Sequence, residues 1–308
     1  MKFSPVSDSA TKQAIDATRA FKESLRVRRR LDELGGSMFW KTVGDYEYLA
    51  QRAGRKVVHI GVRSTETEQQ FAAFQLERER LQTREKALRE RIRLHERMNK
   101  AVRVGTTPTP VIDTLTLLED LGLGTDSTWL GSSALHAYWQ SSGLEPPKHL
   151  TEQKSASAYL VAINEKLSAR AKLALQRCKA LDVMLVNARH VTVLIVAHKT
   201  QTALPHGDSD LEAITARLQR MDKNALEQLL QGMLSYTAFE QVVIGKTGEM
   251  GEMRTLDPQL FISLSRSPIG EMLGLHLKES DLVQDLVEMH RVQTKFTVEE
   301  QAQLQDLI

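Results

Sequence analysis

From Glu66 to about Val104 the chain runs without proline or glycine through a stretch rich in Glu, Arg, Leu and Gln. Within it Phe71, Phe74, Leu81, Leu88 and Ile92 recur at three-, four- and seven-residue steps, which gathers them on one face of an α-helix. A helix of this length must lay that face against something. The intervening heptad positions include Arg78, Glu85 and Asn99, which breaks the apolar seam of a sustained coiled coil, so packing on the chain's own helices is expected. Pairing with another protein is the competing reading. The obvious internal companion is Ser9 to Leu34, where Ala14, Ala17, Phe21, Leu25, Leu31 and Leu34 form a rough stripe and Gly35-Gly36 stops the helix. Its Arg26-Val27-Arg28-Arg29-Arg30 run stands beside Glu23, Asp32 and Glu33 and reads as a solvated face, with nucleic-acid contact as the runner-up.

Gly105-Thr106-Thr107-Pro108-Thr109-Pro110 then blocks helix continuation, which places a boundary between a helical N-terminal region, 1–104, and a second domain, 111–308. In the second part Val111 to Leu121 reads as helix, Thr128 to Leu130 as a short strand, and Ser132 to Ser142 as a serine-capped helix. Ser155 to Val161 is readable as either a strand or a helix start. Asn164 to Ala180 reads as helix, and Asp182 to Val186 and Val191 to Ala197 as β-branched strands joined by a turn at Asn187 to His190. A helix (Asp210 to Leu234), a strand (Glu240 to Ile244), a hairpin turn (Gly245 to Gly251) and two C-terminal helices (Asp281 to Val292, Val298 to Leu307) complete the expectation. The class is α+β: a helical N-terminal region, a mixed-sheet core and C-terminal helices.

The 308 residues carry 41 Lys and Arg against 39 Asp and Glu, so no global field marks a nucleic-acid binder and any basic site has to be local. Cys178 is the one cysteine, which excludes an internal disulfide and a cysteine-rich zinc site. The N-terminus lacks an apolar signal core and no apolar run is long enough to span a bilayer; a cytoplasmic protein is the default expectation. The histidines offer no pair at metal spacing, and Gly245-Lys246-Thr247-Gly248 lacks the glycine and helix of a phosphate loop.

The segment with chemical content is Leu130-Gly131-Ser132-Ser133, a glycine–serine turn between strand and helix. Backbone N–H groups at such a place can hold phosphate oxygens, with Lys148 or Lys154 as a cation. The alternative is that Gly131 only makes the tight turn and Ser132 caps the helix. Arg52, Arg55 and Arg63 are candidate phosphate contacts, with surface solvation as the competing reading.

The chain resembles bacterial nucleotidyltransferase-fold proteins that place a helical N-terminal region before a minimal polymerase-β-like core. The likeness is carried by Gly36-Ser37-Met38-Phe39-Trp40-Lys41, Tyr46 to Leu49, Gly61 to Glu68, Leu130 to Tyr138, Val186-Asn187-Ala188-Arg189 and Leu256-Asp257-Pro258-Gln259-Leu260-Phe261. It covers most of the chain. It implies a mixed sheet, nucleotide phosphates at Gly131, Ser132 and Ser133, and two Mg²⁺ ions held by three aspartates. Carried over residue by residue, those aspartates fall on Ser155, Ser157 and Leu194, and the family's later His-Lys falls on Leu264-Ser265. Serine hydroxyls are neutral, weak metal ligands and leucine is none, so the charge that offsets two divalent cations is missing. Glu145, Glu152 and Asp182 do not rebuild the pattern, since position 154 is lysine and Asp182 stands alone.

The resemblance with its departures leads to three expectations. The first is a degenerate transferase, a pseudoenzyme without metal or cofactor that binds a protein partner or a nucleotide or nucleic-acid phosphate through Gly131, Ser132, Ser133 and Lys154. The second is an active Mg²⁺-dependent transferase acting on RNA or protein. The third is a structural assembly protein that forms an oligomer.

Overall fold

In a computed structural model, residues 3–53, 56–147, 159–164, 181–188, 191–198, 216, 218–220, 223–267, 270, 277–295 and 297 are described. The protein is α+β and divides into two compact units, Ile15–Met98 and a second made of Met1–Ala14 with Asn99–Ile308. Among the described residues no helix is long and apolar enough to cross a membrane.

The unit Ile15–Met98 is built on two helices, α1 (Asp8–Leu34) and α2 (Thr65–Ala101), whose outermost residues count with the other unit. Thr67, Phe74, Leu81, Leu88 and His95 are buried at strict seven-residue spacing on α2, while α1 buries Ala17, Ala20, Phe21, Ser24 and Leu25. Small residues on one helix and large ones on the other let the two backbones come close. Glu23 is bonded to Arg84, and the Asp16 charge acts on His95, so the helices run antiparallel. The polar heptad positions of α2 are accommodated locally: Arg78 donates to the Gly36 carbonyl at 3.1 Å, and Arg89 bonds Glu85 one turn away.

Between these helices, residues for which the sequence suggests no element form a three-stranded antiparallel sheet: β1 (Met38–Val43), β2 (Tyr46–Ala53) and β3 (Lys56–Val62), in that order. The apolar residues of Met38 to Val62 do not alternate cleanly with polar ones, because Gly44-Asp45 and a register shift at Leu49/Ala50 break the period of two. Trp40 packs on Phe71 of α2 at 5.7 Å between ring centroids and carries the Arg63 guanidinium on its face.

The larger unit holds α3 (Thr109–Asp120), β4 (Ser127–Leu130), a 3₁₀ turn (Gly131–Ala134), α4 (Leu135–Ser142), β5 (Tyr159–Asn164), β6 (Leu181–Ala188), β7 (Val191–His198), α5 (Lys223–Ser235), β8 (Phe239–Ile244), β9 (Met250–Thr255), α6 (Pro258–Ser265) and α7 (Leu277–Glu288). Among the described residues six strands form one mixed sheet in the order β6-β7-β5-β4-β9-β8, in which β4 and β9 are the parallel pair. Of the ambiguous segment Ser155 to Val161, Tyr159 to Val161 belong to β5 and 155–158 lie outside the described residues, and Asn164, expected to open a helix, is the last residue of β5. Asp210 to Leu234 is helical at Lys223–Ser235, and Asn164 to Ala180 beyond Asn164 and Val298 to Leu307 lie outside the described residues. The expected turn at Gly245 to Gly251 gives way to β9 at Met250, since Met250 and Met253 are both buried and pair with Ile244 and Gln241 of β8. Helix α6 begins at Pro258 because Asp257 accepts from the Gln259 N–H at 2.9 Å and proline fits the first helical position.

Two apolar clusters cover the sheet. Leu130, Leu135, Tyr138, Trp139, Leu160, Leu226, Leu230, Phe261 and Val283 meet in one, and Val111, Ile112, Leu118, Trp129, Val161, Ile163, Val243 and Met253 in the other. The two are separated by alternation along β4 and β5, which sends Trp129 to one cluster and Leu130 to the other, and does the same with Val161 and Leu160.

Candidate functional site

Strand β4 delivers the chain to Gly131, whose φ of +75° is a left-handed conformation that glycine adopts without steric cost. The chain then winds through one 3₁₀ turn before α4 begins. This moves the α-helical start to Leu135, so Ser132 is not the helix cap that the sequence suggests. Ala134 stands at that position and makes no side-chain cap bond. The hydroxyls are used otherwise: Ser133 donates to the Leu130 carbonyl at 3.1 Å, and Ser132 donates to the Glu279 carboxylate at 2.7 Å.

Glu279 comes from the first turn of α7, distant in sequence, and is buried. Nothing in the local sequence marks it as a neighbour of Gly131; the pairing exists because α7 packs on α4 and α6. The glutamate side chain closes the turn from the side on which Ser132 stands. Gly131 and Ser133 are themselves buried.

The register places several other groups at the same end of the sheet. Leu130 pairs with Leu160 near the start of β5, Tyr159 pairs with Val196 towards the end of β7, and Leu181 at the start of β6 pairs with His198. Trp129 pairs in parallel with Thr255, so the C-terminal ends of β4 and β9 lie together and bring Asp257 to this end as well. Asp257 is occupied in holding the fold: besides Gln259 it accepts from the Thr294 hydroxyl and from the Lys295 N–H at 2.7 Å. Leu194 pairs with Val161, two residues further into the sheet than the Tyr159–Val196 pair. Lys148, Lys154, Ser155 and Ser157 lie outside the described residues.

Behind the turn, α4 presents two buried titratable groups. Burial, helped by the Lys246 charge, lowers the His136 pKa from 6.5 to about 4, so this imidazole is neutral at physiological pH. Burial pushes the Tyr138 phenol well above its ordinary pKa, and its hydroxyl donates to the Leu256 carbonyl at 2.8 Å. Its ring packs edge-on against Phe239 and Phe261. These residues brace α4 on the sheet.

The candidate phosphate contacts of the N-terminal region belong to the other unit. Arg63 is held between Glu68, at 2.7 Å, and Glu47 over the Trp40 ring, and the two carboxylates raise its pKa. Arg52 is exposed on β2, and Arg55 lies outside the described residues.

Metal-dependent transfer of the kind the resemblance implies needs several carboxylates free to face two cations. Of the carboxylates with described side chains at this end of the sheet, Asp257 is bonded three ways and Glu279 takes the Ser132 hydroxyl; position 194 is a leucine, and nothing is described of the Asp182 side chain on β6. Among the described residues no group of three or more His, Cys, Asp or Glu is placed to hold a metal ion.

The fold and the site therefore define an α+β protein with a six-stranded mixed sheet and a glycine–serine turn closed by a buried glutamate. Comparison with protein families, with curated proteins and with solved structures finds no match to this chain.

Proposed function

We propose that this chain is a nucleotidyltransferase-fold protein without metal-dependent transfer, acting by binding, and that its partner is a protein rather than a nucleotide seated at Gly131. The observation that carries the choice of partner is the Ser132–Glu279 hydrogen bond. It satisfies the most accessible polar side chain of the turn from within the molecule. The strand–glycine turn–helix order, with an antiparallel strand beside β4, supports the fold assignment. Leucine and serine at the three carried-over aspartate positions support the loss of transfer.

The test is label transfer from each α-labelled ribonucleotide to total RNA and protein, with Mg²⁺ or Mn²⁺ and a chelator control, beside calorimetric titration of the same nucleotides. The expected result is neither incorporation nor measurable binding. Chelator-sensitive incorporation would establish the active transferase instead, with Glu279 as an acid that the residue-by-residue resemblance does not count. Binding abolished by Gly131→Val would restore the phosphate reading.

A further inference from the structure

Strand β3 is an edge of its sheet, hydrogen-bonded to β2 on one side and to no described strand on the other. Edge strands are ordinarily guarded by charge, proline or brevity, because a free row of N–H and C=O groups is a template for another strand. Val57 to Val62 carries no Lys, Arg, Asp, Glu or Pro. Val57, Val58, Ile60 and Val62 are 40%, 53%, 41% and 45% exposed, so apolar side chains stand bare on both faces of a strand whose outer edge is open. Ile60 is also the residue that the register shift leaves without a partner on β2, since Leu49 pairs with Gly61 and Ala50 with His59. Tyr46 at 61% and Val43 at 48% extend the bare surface around the β1–β2 hairpin.

The charges at the two ends of β3 are opposite. Lys56 opens the strand and exposed Arg52 pairs beside it with Val57, which makes that end basic. At the Val62 end stand Asp45, Glu47 and Glu68, of which Arg63 offsets one charge, which makes that end acidic. A strand with one basic end, one acidic end and an uncharged apolar middle is complementary to itself turned around.

We propose that β3 docks antiparallel on β3 of a second copy of this chain, about a two-fold axis through His59, to give one continuous six-stranded sheet. Val58 then stands across from Ile60 of the second copy, Val57 across from its Gly61, and Lys56 across from its Val62 beside the acidic group. The pairing occurs twice by symmetry, as an isologous interface requires. It closes both open edges at once and covers the apolar residues that the described structure leaves in water. This inference rests on the geometry of the Ile15–Met98 unit and is independent of whether the larger unit is a transferase relic.

The test is sedimentation velocity of the full chain from nanomolar to high micromolar concentration. Three variants accompany it: Ile60→Lys, Lys56→Glu, and His59→Cys in a Cys178→Ser background. The expected parent is a concentration-dependent dimer. Ile60→Lys abolishes it and leaves the thermal unfolding midpoint unchanged at nanomolar concentrations where the parent is monomeric, because the side chain is exposed in the single chain. Lys56→Glu, counted twice by symmetry, weakens it about tenfold in dissociation constant, and more at low salt. His59→Cys forms an inter-chain disulfide on mild oxidation, since residues meeting on the axis lie about 5.5 Å apart between Cα atoms. A parent that stays monomeric throughout overturns the proposal, including one that binds an added extended peptide instead. So does a dimer that survives Ile60→Lys and fails to cross-link at position 59.

Discussion

Burial of His136 makes the larger unit acid-sensitive. The imidazole is buried in α4, and its pKa falls from 6.5 to about 4 because burial disfavours the charged form and Lys246 repels it. Its folded pKa lies below its unfolded value, so on acidification the unfolded chain takes up the proton first. Stability therefore falls as pH drops through 6.5 and continues to fall until the folded imidazole titrates near 4; above 6.5 the effect vanishes. At about 1.36 kcal/mol per pH unit this amounts to about 2 kcal/mol lost by about pH 5 and about 3 kcal/mol by about pH 4. The assay is urea denaturation of the parent and of His136→Leu across that range, compared as a difference so that the carboxylates common to both chains cancel. The parent should lose about 2 kcal/mol more than His136→Leu between pH 7 and about pH 5. Parallel stability curves, or a His136 proton resonance that titrates near 6.5 in the folded protein, would refute the reasoning.

Three further outcomes follow from single contacts. Asn99, fully buried, accepts from Gln13 at 2.9 Å and donates to the Gly248 carbonyl at 3.0 Å, so Asn99→Ala should cost about 2 to 3 kcal/mol in denaturant unfolding. Tyr138→Phe keeps the ring packing and strips the donor from the Leu256 carbonyl; a loss of about 1 to 2 kcal/mol is expected, and calorimetric unfolding measures it. Gly131→Ala forces a Cβ into a φ of +75° and should cost about 1 to 2 kcal/mol by the same measurement, whatever the turn binds.

The long helices α1 and α2, and α3, α4, α5 and α7 with most described strands of the larger unit, were legible because each carries its own periodicity and punctuation. Gly35-Gly36 ends α1 at Leu34, Pro108 caps α3 with Pro110 in its first turn, and the β-branched runs at 181–188 and 191–198 become β6 and β7. The elements that escaped, the three strands between Met38 and Val62, β9 and α6, are those whose pattern is set by a neighbour. Val57, Val58, Ile60 and Val62 show no alternation because neither face of β3 is covered, and Met253 of β9 acquires its burial from the cluster it joins with Val111, Ile112 and Trp129.

The candidate site divides along the same line. Residue type and short-range spacing were enough for the long helix and its companion and for the glycine at the left-handed turn. What stands at the turn depends on the packed molecule. Ser132 and Glu279 are separated by most of the larger unit in sequence, and they meet because α7 buries Val283 and Leu286 in the same apolar cluster as Leu135 and Tyr138 of α4. A contact of that kind is set by burial of distant apolar faces, which carries no local signal at the residues it brings together.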